Sequence, residues 1–156
     1  MKAVIQRVTH AEVSVDGNVI GKIGNGFLIL LGVCMGDTEA ECKILSDKIA
    51  KLRIFTDEND KMNRSLLDFK DCENPYGALV VSQFTLCANA RHGNRPDFLA
   101  AAKPDTAIPL YEKFMENLKN DHGIHVEHGE FGADMKVSLL NDGPVTIILD
   151  TDELKK

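Results

Sequence analysis

Residues Gly77 to Ala88 constrain this chain more than any other stretch. Ala78, Leu79, Val80 and Val81 are consecutive apolar residues, two of them β-branched, and read as a buried strand. A strand with a purely structural task would then turn polar in a loop. Here Ser82, Gln83 and Thr85 follow around Phe84 without a break. They bring two hydroxyls, an amide and an aromatic face, none charged at neutral pH, to one strand end. Such groups can hold a ligand by hydrogen bonding and stacking. The same residues also suit a strand end that satisfies its own neighbours.

The flanking sequence supplies the rest of a sheet. Lys2 to Val15 reads as extended, with Val13 and Val15 alternating against Glu12 and Ser14. Asp16-Gly17 marks a tight hairpin turn, Val19 to Ile23 is the return strand, and Phe27 to Cys34 is a core strand after Gly24-Asn25-Gly26. This predicts an opening antiparallel meander. Asp37 or Thr38 can cap a helix, Glu41 lies at capping-box spacing from Thr38, and Cys42, Leu45, Ile49 and Leu52 then recur at helical intervals. A second helix opens at Pro104, with Ala107, Leu110, Tyr111, Phe114 and Leu118 as its apolar stripe, Pro109 in its first turn and Gly123 beyond its end. Leu52 to Phe55, Ile124 to Glu127, Lys136 to Leu140 and Val145 to Leu149 read as further extended segments. Ser65 to Glu73 reads as irregular and the tail from Asp152 as frayed. The fold class expected is α+β: mostly antiparallel sheet with two main helices packed on one side.

With 156 residues, 44% hydrophobic and 27% charged, the chain is expected to be one domain, 1–156, with an adequate core. No apolar run approaches the ~20 residues of a membrane helix, and the N-terminus does not resemble a signal peptide. A cytoplasmic location follows as the expectation, with no membrane partner. Cys34, Cys42, Cys72 and Cys87 show no C-x-x-C spacing and are expected to be reduced and mostly buried. A net charge of −6 argues against coating nucleic acid over a long footprint. It leaves room for gripping a short single-stranded end, and Arg91, His92, Arg95 and Lys103 form a local basic cluster. The same cluster also reads as a solvated loop.

Familiar catalytic arrangements are missing. No G-x-S-x-G elbow occurs, and Thr85 with His92 is the nearest approach to a hydroxyl–base pair in sequence. His122, His125 and His128 are evenly spaced, but Gly123 and Gly129 break any helix and the zincin motif is absent, so they read as surface or strand-end histidines. Asp57, Asn59 and Lys61 lack the glycine and distal glutamate of a calcium loop. No metal or cofactor is expected.

Ser82-Gln83-Phe84-Thr85-Leu86 resembles a signature of the D-aminoacyl-tRNA deacylases, and Asn141-Asp142-Gly143-Pro144-Val145-Thr146 resembles the second signature of that family. Met1 to Val8, Arg95-Pro96-Asp97-Phe98 and Gly132-Ala133-Asp134-Met135 match in the same order along the chain. The resemblance implies a two-sheet, barrel-like core, a homodimer, and hydrolysis of the ester joining a D-amino acid to the 3′ end of tRNA, glycine mischarged on tRNA included. It implies that Ser82, Gln83, Phe84 and Thr85 form the catalytic centre, that Arg7, Ala102, Met135, Gly143 and Pro144 serve substrate, and that Arg7 supports the Gly143–Pro144 segment. The family picture makes that peptide bond cis and inserts it into the partner's pocket, where its carbonyls exclude an L-substituent. Water is then activated with the help of the ribose 2′-hydroxyl, without a side-chain nucleophile. From the residues alone, Gly143-Pro144 is an ordinary turn signal of unspecified isomer. Two other functions stay open at this point: an esterase with a side-chain nucleophile, and a non-catalytic RNA- or protein-binding domain.

Overall fold

The computed structural model describes residues Met1 to Lys156. Strand β1 (Lys2–Val15) is the spine. Its 14 residues are long enough to serve several partners in succession. Its first half pairs antiparallel with β3 (Gly26–Gly32), its second half with β2 (Asn18–Ile23), and its opposite edge along most of its length with β8 (Lys136–Asp150). The expected meander is therefore corrected: β2 and β3 share one edge of β1, one after the other, and do not pair with each other. The hairpin between β1 and β2 turns where expected, at Asp16 and Gly17, both with positive φ.

After β3 the chain crosses through α1 (Glu39–Ala50), the short β4 (Phe55–Thr56) and β5 (Met62–Arg64), which form a separate two-stranded sheet, and a 3₁₀ turn at Leu66–Phe69. It then returns as β6 (Gly77–Ser82), parallel to β3, and after α2 (Pro104–Asn120) adds β7 (His125–His128) parallel to β6. The main sheet runs β2-β1-β3-β6-β7 with β8 on β1, and β2 approaches β7 so that it nearly closes as a barrel. Strand β3 explains its unbroken apolar sequence: Phe27, Ile29 and Leu31 meet the helices, while Leu28 packs with Val8, Val13, Leu79 and Val81 in a second core inside the sheet's curve.

Helix α1 starts at the capping box foreseen from Thr38 and Glu41. Helix α2 buries all five residues of its apolar stripe, but Pro109 falls in its second turn, and Gly123 takes its positive φ two residues past the C-cap. Three local expectations are corrected. Ser65 and Asp68 form a second capping box, so the segment expected to be irregular begins as a 3₁₀ turn. The tail is not frayed: α3 (Thr151–Leu154) is capped by Asp150, and buried Thr151 bonds to Met1. The two segments expected around Gly143-Pro144 are one strand, β8, carrying a bulge.

The cysteine expectation fails at one pair. Cys34 and Cys87, 53 positions apart, form a disulfide with Cα atoms 6.1 Å apart. The parallel register Leu31 to Ser82 lays the ends of β3 and β6 side by side, a proximity that residue spacing does not reveal. Cys42 and Cys72 remain thiols. Burial, with Asp37, Glu39 and Glu41 nearby, pushes the Cys42 thiol up to about 12, which leaves it inert as a nucleophile.

The Glu41 carboxylate is held at about 2, down from the ordinary 4.5, by the Lys155 ammonium and then by the Thr38 hydroxyl and N–H. A depressed carboxylate stabilises the fold fully above its unfolded value and loses that contribution as pH falls toward the folded one. The melting-temperature gap between wild type and Glu41→Gln is thus expected to be widest above pH 5 and to close between about pH 4 and 2. Thermal melts across that range check it, and a gap independent of pH would refute the assignment.

Candidate active site

Strand β6 delivers Ser82 at its last residue, and Gln83 donates its backbone N–H to Leu31 O at 2.8 Å, so the sheet ladder extends one residue beyond the strand. The chain then folds at once into a 3₁₀ turn, Phe84–Cys87. The first N–H groups of such a turn, on Phe84 and Thr85, have no carbonyl within it to bond. At its far end the turn is fastened by the Cys34–Cys87 link.

A cleft of 270 Å³ opens beside this turn. It brings together Ser82, Gln83, Phe84, Ala102 and Met135, five of the nine residues singled out from the sequence. Phe84 is 55% exposed and its ring meets Phe98 edge-on at 5.1 Å. Most of the lining is apolar, which strengthens electrostatic interactions within the cleft relative to open water.

Thr85 is exposed and does not border the cleft; its hydroxyl accepts a hydrogen bond from the Gln83 amide. His92 makes no hydrogen bond to it, so the one hydroxyl–base pair suggested by sequence proximity does not form. The three spaced histidines diverge: His122 pairs with Asp47 at 2.7 Å, His128 meets Gly129 O, and exposed His125 lies near Glu127.

Arg7, Gly143 and Pro144 are assembled elsewhere. Gln6 pairs with Thr146 and Val8 with Asn141, so Asp142 to Val145 bulge out opposite Arg7. Two side chains build this bulge. Asn141 clasps it, accepting from Val145 N at 2.7 Å and donating to Val145 O and the Thr146 hydroxyl. Arg7 props it from behind, donating to Asp142 O at 2.8 Å and to Ile54 O at 2.7 Å, with its side chain only 11% exposed. The Gly143–Pro144 bond is cis, and Gly143 has φ +145. A Cβ there would lie 2.7 Å from a Val145 methyl and 3.3 Å from the Arg7 guanidinium, so the position is built for glycine. The bulge is exposed and does not line the cleft of its own chain.

Sequence reasoning missed three contributors. Tyr111 and Phe131 line the cleft with rings 5.8 Å apart, yet Tyr111 was legible only as helix core and Phe131 carried no periodic signal. The Tyr111 hydroxyl donates to Val80 O, and burial raises its pKa, which keeps the phenol neutral. Asn141 was visible in the motif, but its clasping of the bulge was not.

A family model described as D-Tyr-tRNA(Tyr) deacylase matches residues 4–150. The D-aminoacyl-tRNA deacylase of Thermus aquaticus is 55% identical over 153 residues, covering 98% of this chain and 97% of that protein. The D-aminoacyl-tRNA deacylase of Roseiflexus castenholzii is 58% identical over 151 residues, covering 97% and 92%. Among solved structures, one described as c-Myc DNA Unwinding Element Binding Protein aligns with a TM-score of 0.88 and 43% identity over 96% of this chain and 98% of its own. With the family model spanning nearly its whole length, the chain belongs to the D-Tyr-tRNA(Tyr) deacylase family.

Proposed function

We propose that this chain, acting in the cytoplasm as one domain over residues 1–156, hydrolyses D-aminoacyl-tRNA to free D-amino acid and tRNA, and also removes glycine mischarged on tRNA. One observation carries the reading beyond family membership: an apolar cleft bordered by Ser82, Gln83 and Phe84 in which no side-chain nucleophile is paired with a base. A water oxygen attacks the ester carbonyl carbon, the bond to the ribose oxygen breaks, and that oxygen leaves with a proton. The ribose 2′-hydroxyl helps to activate the water. The Phe84 and Thr85 N–H groups stabilise the charge developing on the carbonyl oxygen, a contribution typically worth ~3–4 kcal/mol per donor. Phe84, Ser82 and Gln83 hold the terminal adenosine and the ester, and Ala102 and Met135 wall the pocket.

The same reading makes the protein a homodimer in which Gly143-Pro144 enters the partner's cleft. Two observations support it. The bulge stands out from its own chain, and Leu140 and Ile148 stand exposed, at 49% and 75%, on the same outer face of β8 as Lys136, Ser138 and Thr146. Backbone carbonyls from that bulge reject an L-substituent by collision while ignoring what the side chain is, so handedness alone is read.

The test is single-turnover deacylation of one tRNA charged with the D- and the L-form of one amino acid. Rapid loss of the D-ester alone is expected. Thr85→Ala is expected to keep measurable turnover, and a 2′-deoxy terminal ribose to react poorly. Complete inactivation of a folded Thr85→Ala protein would make the threonine a nucleophile instead. Hydrolysis of free D-amino acid esters without tRNA would return the function to a general esterase, and tRNA binding without cleavage to a binding module.

A further inference from the structure

We propose that Ala88–Lys103 is a footing for the single-stranded nucleotides that precede the terminal adenosine of the tRNA, with Arg91 and Arg95 meeting their phosphates and Phe98 a base face; this rests on the deacylase reading above. The segment leaves the turn Phe84–Cys87 directly and returns at Ala102, on the wall of the cleft. A strand whose last nucleoside sits in the cleft therefore has this loop as an immediate neighbour.

The loop is held at its base. Asn89 and Asp97 exchange both backbone hydrogen bonds at 2.9 Å, closing the tip, and Met35 N bonds to Ala100 O at 2.8 Å and Ala102 N to Val33 O at 3.0 Å beneath it. The tip is thus presented on a fixed stem.

Its charge runs against that of the protein. Residues 88–103 hold three Lys or Arg and one carboxylate in a chain of net charge −6. Arg91, Arg95 and Lys103 are exposed, and the charged group of none of them joins an ion pair or a hydrogen bond, Arg91 bonding only through its backbone N–H to Asn89 Oδ1. The other three arginines are all engaged, Arg7 on Asp142 O and Ile54 O, Arg53 on Asn63 and Arg64 on Glu58. The lone acid, Asp97, accepts from Leu99 N at 3.2 Å. An anionic chain repelled by the remaining surface is drawn to such a place.

Beside these cations stand the Phe84 and Phe98 rings, 55% and 36% exposed. Phe84 borders the cleft and Phe98 lies one ring further out. Exposed aromatic faces next to unpaired guanidinium groups suit unstacked bases and their phosphates, and they do so without reading sequence. That tolerance fits an enzyme meeting the same terminal bases on many tRNAs.

The test compares two substrates, D-aminoacyl-tRNA and D-aminoacyl-adenosine, which stops at the terminal nucleoside. For Arg91→Gln/Arg95→Gln, kcat/KM on the tRNA substrate is expected to fall about tenfold, and its log–log salt dependence to flatten by about 1.4 for two lost phosphate contacts. Its kcat at saturation and its kcat/KM on the adenosine substrate are expected to match wild type. Phe98→Leu, which keeps apolar packing on Phe84, is expected to weaken the tRNA substrate several-fold with the salt slope unchanged. An unaffected double variant, or equal loss on both substrates, would overturn the footing. If wild type cleaves neither substrate, the deacylase reading fails by itself. Fluorescence titration of uncharged tRNA then decides the footing: equal affinity for wild type and the double variant would sink it, and a salt-dependent loss would uphold it.

Discussion

Arg7→Ala is expected to lower single-turnover deacylation of D-aminoacyl-tRNA by about 100-fold while the protein remains folded, because misplacing a positioning element by ~1 Å costs about that much. The guanidinium is the prop behind the bulge, with one arm on Asp142 O and another on Ile54 O. Removing it unties Gly143-Pro144 from the segment entering β4 and leaves the Ile54 carbonyl with a lost partner, at about 1–3 kcal/mol. Arg7→Lys is expected to recover little, since a single ammonium cannot serve two carbonyls in the directions the planar fork does. The readout is the rate with D-aminoacyl-tRNA alongside the melting temperature. Wild-type rates in a stable Arg7→Ala protein would show that the bulge keeps its position without the arginine.

Gly26→Ala should be the most destabilising single methyl addition in the protein. A Cβ at Gly26 would sit 1.8 Å from Gly77 O, and the residue has φ +149. Gly26 and Gly77 are paired at the start of the parallel β3–β6 ladder. The methyl must therefore force β3 away from β6, although both strands are buried on both faces, on top of ~1–3 kcal/mol of backbone strain. A cost above ~4 kcal/mol, or a melting temperature lowered by roughly 10 °C or more, is expected. Gly24→Ala is the matched control: two residues earlier, its Cβ position meets nothing within 4 Å. Similar melting temperatures for the two variants would mean that β3 and β6 can separate cheaply.

What was legible in the sequence was local. The alternation of β1, the Asp16-Gly17 turn, the Thr38–Glu41 capping box and the stripe of α2 each declare themselves through neighbours within a few positions. Partners do not. Nothing in Lys2–Val15 says that three strands share it, and a buried apolar run such as Ala78–Val81 carries no sign of a parallel neighbour. The Cys34–Cys87 disulfide and the α3–Met1 contact were hidden for the same reason. The site was legible through motif likeness, which picked Ser82, Phe84, Ala102 and Met135 from distant places in the chain that the fold unites in one cleft. Likeness also implied that Arg7 supports the Gly143–Pro144 segment, as its bond to Asp142 O does, but not that Asn141 clasps it, because that depends on a register slip between β1 and β8.

The pairing of β1 with β8 also sets a timetable. Arg7 and Asp142 are 135 residues apart, and such long-range pairing is slow because loop closure precedes its reward. On the ribosome β1 emerges before β8, and the edge it gives to β8 stays open until the intervening strands and helices have been made. The bulge travels on that late strand, so a nascent chain can assemble α1 and α2 before it owns either the bulge or Val137, the residue of β8 that lines the cleft. Until then the open edge of β1 is the region of the newborn protein most in need of a chaperone.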